Sequence, residues 1–501
     1  MEYQTLVLGT TFVSATILIF IFRKLYQTQN NSTKLPPGPH PLPILGNILE
    51  LGKNPHKTLT KLSQIYGPIM TLKLGTITTI VISSPQLAKQ VLHENSQIFS
   101  NRTIPHAVYA TEHNKFSMSW LHPLTTSWKK LRRVCATKVF SPKHLDSTKV
   151  IRQQKLKELL DYVNEKCNKG EVFDIGKAVF ITTLNSISNT LFSKDLSHIT
   201  HDEKSQEFKN IVWGIMEEVG RPNISDFFPI LRPLDPQGLY GRMTNHMKKL
   251  CEIFDGIIED RICSRASKVD YEVCNDVLDS LLNNIGDTNS ELSRNEMVHL
   301  LMDLFVGGID TSSNTIEWIM AELLHHPEKL TKAKKELCEA IGKDETIEES
   351  HISNLPFLQA IVKETFRLHP PAPLLIPRKS DENVYILGFY VPKNAQVLVN
   401  VWAMGRDPTI WKNPNMFIPE RFLECDINYM GKNFELIPFG AGKRICPGLP
   451  FAYRVVHLIV ASLLHNFEWT LADGLMSKDM NMDEQFGLTL KRVQPLRVQA
   501  K

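Results

Sequence analysis

With 501 residues and 42% hydrophobic content, the chain is long enough to bury a large core. Fifty-seven Lys and Arg against 53 Asp and Glu, a formal charge of +4, provide no block of like charge suited to a nucleic-acid partner, so any functional basic surface is local. The eight cysteines lack both Cys-x-x-Cys pairs and the dense spacing of a secreted disulfide scaffold, which points to a reducing compartment.

Taken in chain order, residues 6–22 form an uncharged apolar run of about the minimum length for one bilayer crossing. Glu2 precedes it and Arg23 and Lys24 follow, the reverse of a cleavable signal. Residues 1–24 are therefore expected to be an uncleaved single-pass anchor that contacts membrane lipid and leaves the carboxyl-terminal bulk in the cytosol. Residues 25–43 are polar and then proline-rich, a stiff, extended hinge, and 44–501 form the body. Short alternating β-like runs come first, at 70–74 and 79–83. Helical spacing of apolar residues then marks 146–166, 238–261, 291–325 and 356–368. β-like pieces return at 384–391 and 397–401 and again at the carboxyl end. No internal repeat is present, so the expected product is one large, mainly helical body with minor sheet.

The most informative stretch carries Phe439, Gly440, Gly442, Arg444, Cys446 and Gly448. A thiolate that binds iron needs a rigid, partly dry loop with amides aimed at the sulfur, and the glycines permit tight backbone conformations there. The plain alternative is a Gly-rich turn with an incidental cysteine. Glu364 and Arg367, three apart on a helical run, project from one face, and Arg421 of a Pro-Glu-Arg-Phe stretch is placed to complete a buried network. Trp128 and Arg132 are four apart on another helical face, among the basic Lys129, Lys130, Arg133 and Lys138. Gly307 and Gly308 interrupt a long amphipathic pattern just before Asp310 and Thr311. Two glycines inside a helix cost roughly 1 kcal/mol each relative to alanine, which a kink, close helix packing or a site would explain.

In this order along the chain, the Trp128–Arg132, Gly307–Ser312, Glu364–Arg367, Pro419–Phe422 and Phe439–Gly448 segments resemble the cytochromes P450. The resemblance implies a mainly α cytochrome P450 fold, a large helical domain with a small β-rich lobe plus an N-terminal transmembrane helix. It implies haem b ligated through its iron by Cys446, with Trp128, Arg132, Arg378, Phe439 and Arg444 as haem contacts. Glu364, Arg367 and Arg421 would support the haem loop, and Asp310 and Thr311 would supply protons. No nucleotide-binding Gly-x-Gly-x-x-Gly unit occurs, so electrons from NADPH would come through a partner, the NADPH-cytochrome P450 reductase of the endoplasmic reticulum membrane. The basic surface around Lys129 and Arg133 is its expected dock.

Residues 226–238, 303–308 and 486–490 are similar to plant terpenoid oxidases of the geraniol hydroxylase and ferruginol synthase group. That implies hydroxylation of a small hydrophobic plant metabolite, a monoterpene alcohol or a diterpene. Val306, Gly307, Leu374, Leu375 and Leu488 would then line the substrate pocket. Residues 100–105 also resemble a plant group that hydroxylates tyrosine, which keeps a phenolic substrate as an alternative. Other readings of the same cysteine loop are a peroxide-rearranging isomerase, whose kind tends to lack an Asp-Thr pair, and a non-catalytic haem sensor. Gly307, Ile309 and Ser312 depart from the alanine and threonines common in relatives, departures that concern the substrate rather than the oxygen chemistry.

Overall fold

The computed structural model describes residues 34–198, 203–267, 276–283, 292–342 and 345–501. The expected anchor lies outside them. Among the described residues no helix is long and apolar enough to cross a membrane.

The body is mainly helical. Its principal helices are α1 (Pro55–Tyr66), α2 (Thr126–Val134), α3 (Lys149–Lys169), α4 (Ile175–Phe192), α5 (Glu203–Gly220), α6 (Leu239–Ala266), α7 (Arg294–His325), α8 (Pro327–Ile341), α9 (Pro356–Leu368) and α10 (Leu449–Asn466). The main sheet joins β1 (Ile69–Leu74), β2 (Ile77–Ile82), β3 (Asn101–Arg102), β4 (Arg378–Lys379) and β5 (Gln396–Val399). Its spatial order is β1-β2-β5-β4-β3, and only β2 with β5 is parallel.

The helix at 294–325 begins where its sequence says it should. Ser293 Oγ accepts from the Glu296 amide at 3.3 Å and the Glu296 carboxylate accepts from the Ser293 amide at 2.9 Å, a reciprocal cap. The run expected from 146 starts instead at Lys149, because Pro142–Ser147 forms its own short helix. The piece at 384–391 is two strands, Val384–Ile386 and Phe389–Val391, reversed by Leu387 and Gly388, both at positive φ. The periodicity reading missed α1, α4, α5, α8 and α10. Of these, α4 is buried on nearly every face, so it lacks the polar stripe that a 3.6-residue period needs.

The proline-rich stretch lies against the sheet. Thr71 N donates to Pro37 O at 2.9 Å, and a side chain at Gly38 would collide with the Thr71 carbonyl, its Cβ only 1.9 Å away. The largest apolar core lies among α3, α4, α6, α7, α9 and α10, and α7 runs through it. That burial holds the middle of α7 opposite the start of α10, the two ends of the site.

Candidate active site

Cys446 sits one turn before α10, on the floor of a cavity of about 320 Å³. Gly440 and Gly442 adopt φ of +68° and +69°, and a Cβ on Gly442 would meet the Leu92 carbonyl oxygen at 2.0 Å. Gly448, by contrast, has φ of −80° as the helix N-cap, so its role is not a left-handed turn. The Cys446 amide donates to Phe439 O at 2.9 Å and closes the loop. Burial pushes the Cys446 thiol up, and the Gly448 amide, the Arg132 charge and the Leu449 amide oppose that. Donors at a helix start aimed at sulfur favour the thiolate. Among the described residues Cys446 is the only cysteine lining this cavity. Phe439 lines it too, its ring edge-on to Phe366 at 5.3 Å.

One side of the cavity gathers Arg102, Arg132, Arg378 and Arg444. Arg444 donates to Ser100 O and Met118 O, each at 2.9 Å, and to Leu121 O, and its guanidinium lies over the Trp128 ring. Trp128 Nε1 also donates to Met118 O, at 3.1 Å. Arg378 bonds Phe99 O at 3.1 Å but leaves its buried Nε without a partner. Arg102 reaches Ser119 O and Ile376 O. Among the described residues none of these four arginines has a carboxylate at ion-pair distance. Burial, then repulsion from Arg378 and Arg132, pushes Arg444 down to about 9, and burial pushes Arg378 down to about 10. Buried guanidinium groups without counter-charge are costly. A group bearing two carboxylates and bound through a thiolate fits this arrangement, as haem does. Arg102 was not singled out for this role in the sequence, because only β3–β4 pairing brings it beside Arg378.

The opposite wall is the middle of α7. The helix continues unbroken through Gly307 and Gly308. A Cβ on Gly307 would meet nothing within 4 Å, whereas one on Gly308 would strike Ile187 Cδ1 at 2.6 Å. Gly307 therefore opens the cavity and Gly308 allows α4 to pack. Thr311 lines the cavity and donates its hydroxyl to Gly307 O at 2.6 Å. Asp310 is buried beside it but does not reach the cavity, and its carboxylate accepts from Thr489 Oγ1 at 2.5 Å.

Glu364, Arg367 and Arg421 come together away from the cavity. Arg367 grips Glu364 in two bonds of 2.7 Å, and Arg421 Nε reaches Glu364 at 3.2 Å. The bonds run to Pro414 O, Met416 O and Ile418 N, so the network clamps the segment leading towards the cysteine loop rather than the loop itself.

Val306, Gly307, Leu375 and Leu488 line this cavity. Leu374 does not. It lines a second, neighbouring cavity beside Leu398 and Phe486, which Leu375 and Leu488 also border. Met118, Met216, Met243, Met247 and Met302 also line the first cavity, a feature that single methionines in separate segments did not announce. Glu112 is exposed and paired with Lys115, and Glu217 is paired with Arg221. The acid on the cavity wall is Asp303, and its oxygens already accept from Ser117 Oγ at 2.7 and 2.9 Å.

A thiol at a helix start beneath an apolar chamber, with uncompensated arginines to one side, defines a haem-thiolate site in a mainly helical fold. The family described as Cytochrome P450 matches residues 36–497. The chain is 47% identical to geraniol 8-hydroxylase of Catharanthus roseus across 99% of both chains. It is 44% identical to ferruginol synthase of Isodon rubescens across 96% of this chain and 97% of that one. Among solved structures, a zebra fish cytochrome P450 with progesterone superposes with a TM-score of 0.76 at 25% identity, covering 89% of this chain and 99% of that one. The chain belongs to the cytochrome P450 family, and it is a monooxygenase of that family.

Proposed function

We propose that this enzyme hydroxylates a small to medium, largely apolar terpenoid, a monoterpene alcohol or a diterpene, with electrons from NADPH passed through a partner reductase. The observation that carries the reading is the methionine-rich, aliphatic wall above Cys446. Unbranched thioether side chains adapt to a flexible hydrocarbon, and a few polar groups suffice to orient one hydroxyl. The names of the geraniol and ferruginol relatives support the same substrate class. An amino acid such as tyrosine would need buried partners for both its charges, and the Asp303 carboxylate is already engaged.

In this reading Cys446 ligates haem iron, and Arg102, Trp128, Arg132, Arg378 and Arg444 hold the propionate side. Bound there, haem supplies activation of dioxygen and insertion of one oxygen atom. The chain's own work is to shape the apolar chamber, lower the cost of ionising the sulfur and hold a proton at Asp310. Exposed Lys129 and Arg133 on α2 suit an acidic reductase. Enzyme and reductase incubated in parallel with geraniol, an abietane diterpene and tyrosine test the substrate. A terpenoid is expected to shift the haem spectrum and to be hydroxylated, and turnover of tyrosine with neither terpenoid bound would overturn the reading.

Residues 1–24 are further proposed to anchor the enzyme in the endoplasmic reticulum membrane with its body in the cytosol. Ile44, Leu45, Ile224, Ile230 and Leu234 support a membrane-facing surface. All are exposed, and Leu45 O and Phe227 O bond the neighbouring amides Gly75 and Thr76. Deleting residues 1–24 is expected to release much of the protein while haem binding persists. A truncated chain that sediments with membranes as completely as the full one would refute the anchor.

A further inference from the structure

Asp310 is a buried acid beside the cavity-facing wall of α7, yet it does not line the cavity, while the hydroxyl of its neighbour Thr311 is committed to Gly307 O. The side chain that bridges Asp310 to the cavity comes from elsewhere. Thr489 lines the cavity and its Oγ1 lies 2.5 Å from Asp310 Oδ2. We propose that Thr489 is the relay hydroxyl through which the proton of Asp310 enters the cavity.

The turn that carries Thr489 is pinned on both sides. Leu490 N donates to Pro371 O at 2.8 Å and Leu488 N to Met216 O at 3.3 Å. Gly220 permits the second contact, since a Cβ there would lie 1.9 Å from Leu488 N. The hydroxyl is therefore held in place rather than carried on a free loop. Burial raises Asp310, so its carboxyl retains a proton more readily than an exposed one, with the Thr489 hydroxyl and the Lys491 charge acting the other way.

The transfer balances without any other reagent. Thr489 gives its hydroxyl proton to an acceptor oxygen in the cavity as it takes the carboxyl proton of Asp310, which leaves a carboxylate. Lys491, two residues on, is half-buried with its ammonium over the Trp213 ring, and its charge acts on both Asp310 and Glu217. A hydroxyl that exchanges protons in this way is common in acid–base relays, and removing one such group typically costs about a hundredfold or more in the proton-dependent step.

The proposal rests on Asp310 as the proton source, and the test separates the two. Asp310→Asn, Thr489→Val and Thr489→Ser are loaded with haem, checked by their carbon monoxide spectra and assayed with reductase for product and peroxide per NADPH. Infrared spectra of the resting proteins locate the carboxylic acid band that Asp310→Asn abolishes. Thr489→Val is expected to lose at least about tenfold in product per NADPH, with peroxide in its place, as Asp310→Asn does. Thr489→Ser is expected to restore the wild-type partition. The acid band moves to higher wavenumber in Thr489→Val and stays put in Thr489→Ser, and Thr489→Ala replaces the valine variant if that one fails to hold haem. Wild-type coupling in Thr489→Val with uncoupled Asp310→Asn overturns the relay alone. Wild-type coupling in Asp310→Asn overturns the proton source itself. A serine variant as uncoupled as the valine one, or the absence of an Asp310-dependent acid band, also overturns the relay.

Discussion

Cys446→Ser is expected to abolish the red-shifted ferrous carbon monoxide band of a thiolate haem and to lower NADPH-driven hydroxylation more than about a hundredfold. The amides of Gly448 and Leu449 lower the thiol's cost of ionising, but a serine hydroxyl begins far above the range that such donors can shift. The arginine cluster would still attract the propionates, so some haem can remain without its sulfur ligand. Cys135→Ser provides the control. That thiol is buried, with burial pushing it up to about 12, its sulfur lies 3.7 Å from Met118 Sδ, and it does not line the cavity. A Cys446→Ser protein that kept the thiolate band would remove this cysteine from the site.

What could be read in advance depended on how far apart in the chain a feature's parts lie. The loop from Phe439 to Gly448 and the pair Glu364 and Arg367 are local, so fixed offsets were enough to identify them. The same held for α7 and α9, each with one polar face and a clear end. α4 is buried almost all round and offered no alternation to detect. Arg102 reaches Arg378, and Thr489 reaches Asp310, only through the folded chain, across separations of 276 and 179 residues respectively. Leu374 shows the same limit at short range: it borders only the second cavity, whereas its neighbour Leu375 borders both. The paired glycines announced a site, and only the packing of Ile187 against Gly308 assigned them different tasks.

Glu364→Ala is expected to destabilise the haem-bound fold by about 3 to 5 kcal/mol, since it strands a charge in the core. The side chains of Arg367 and Glu364 are both 0% exposed, so water cannot replace the lost carboxylate. Arg367 would keep its carbonyl partners Pro414 O and Met416 O, and these satisfy donors without neutralising the cation. Arg421 is more exposed, at 12%, and loses less when its partner goes. The network also receives the Ile418 amide at 2.7 Å, so its loss loosens the segment leading towards Phe439 and Cys446. Haem retention against urea measures the effect, and the midpoint should fall sharply in Glu364→Ala. Replacing both members, Glu364→Leu with Arg367→Met, removes the charges together and is expected to cost less than the single change. A Glu364→Ala protein with the wild-type midpoint would show that the buried pair does not support the haem site.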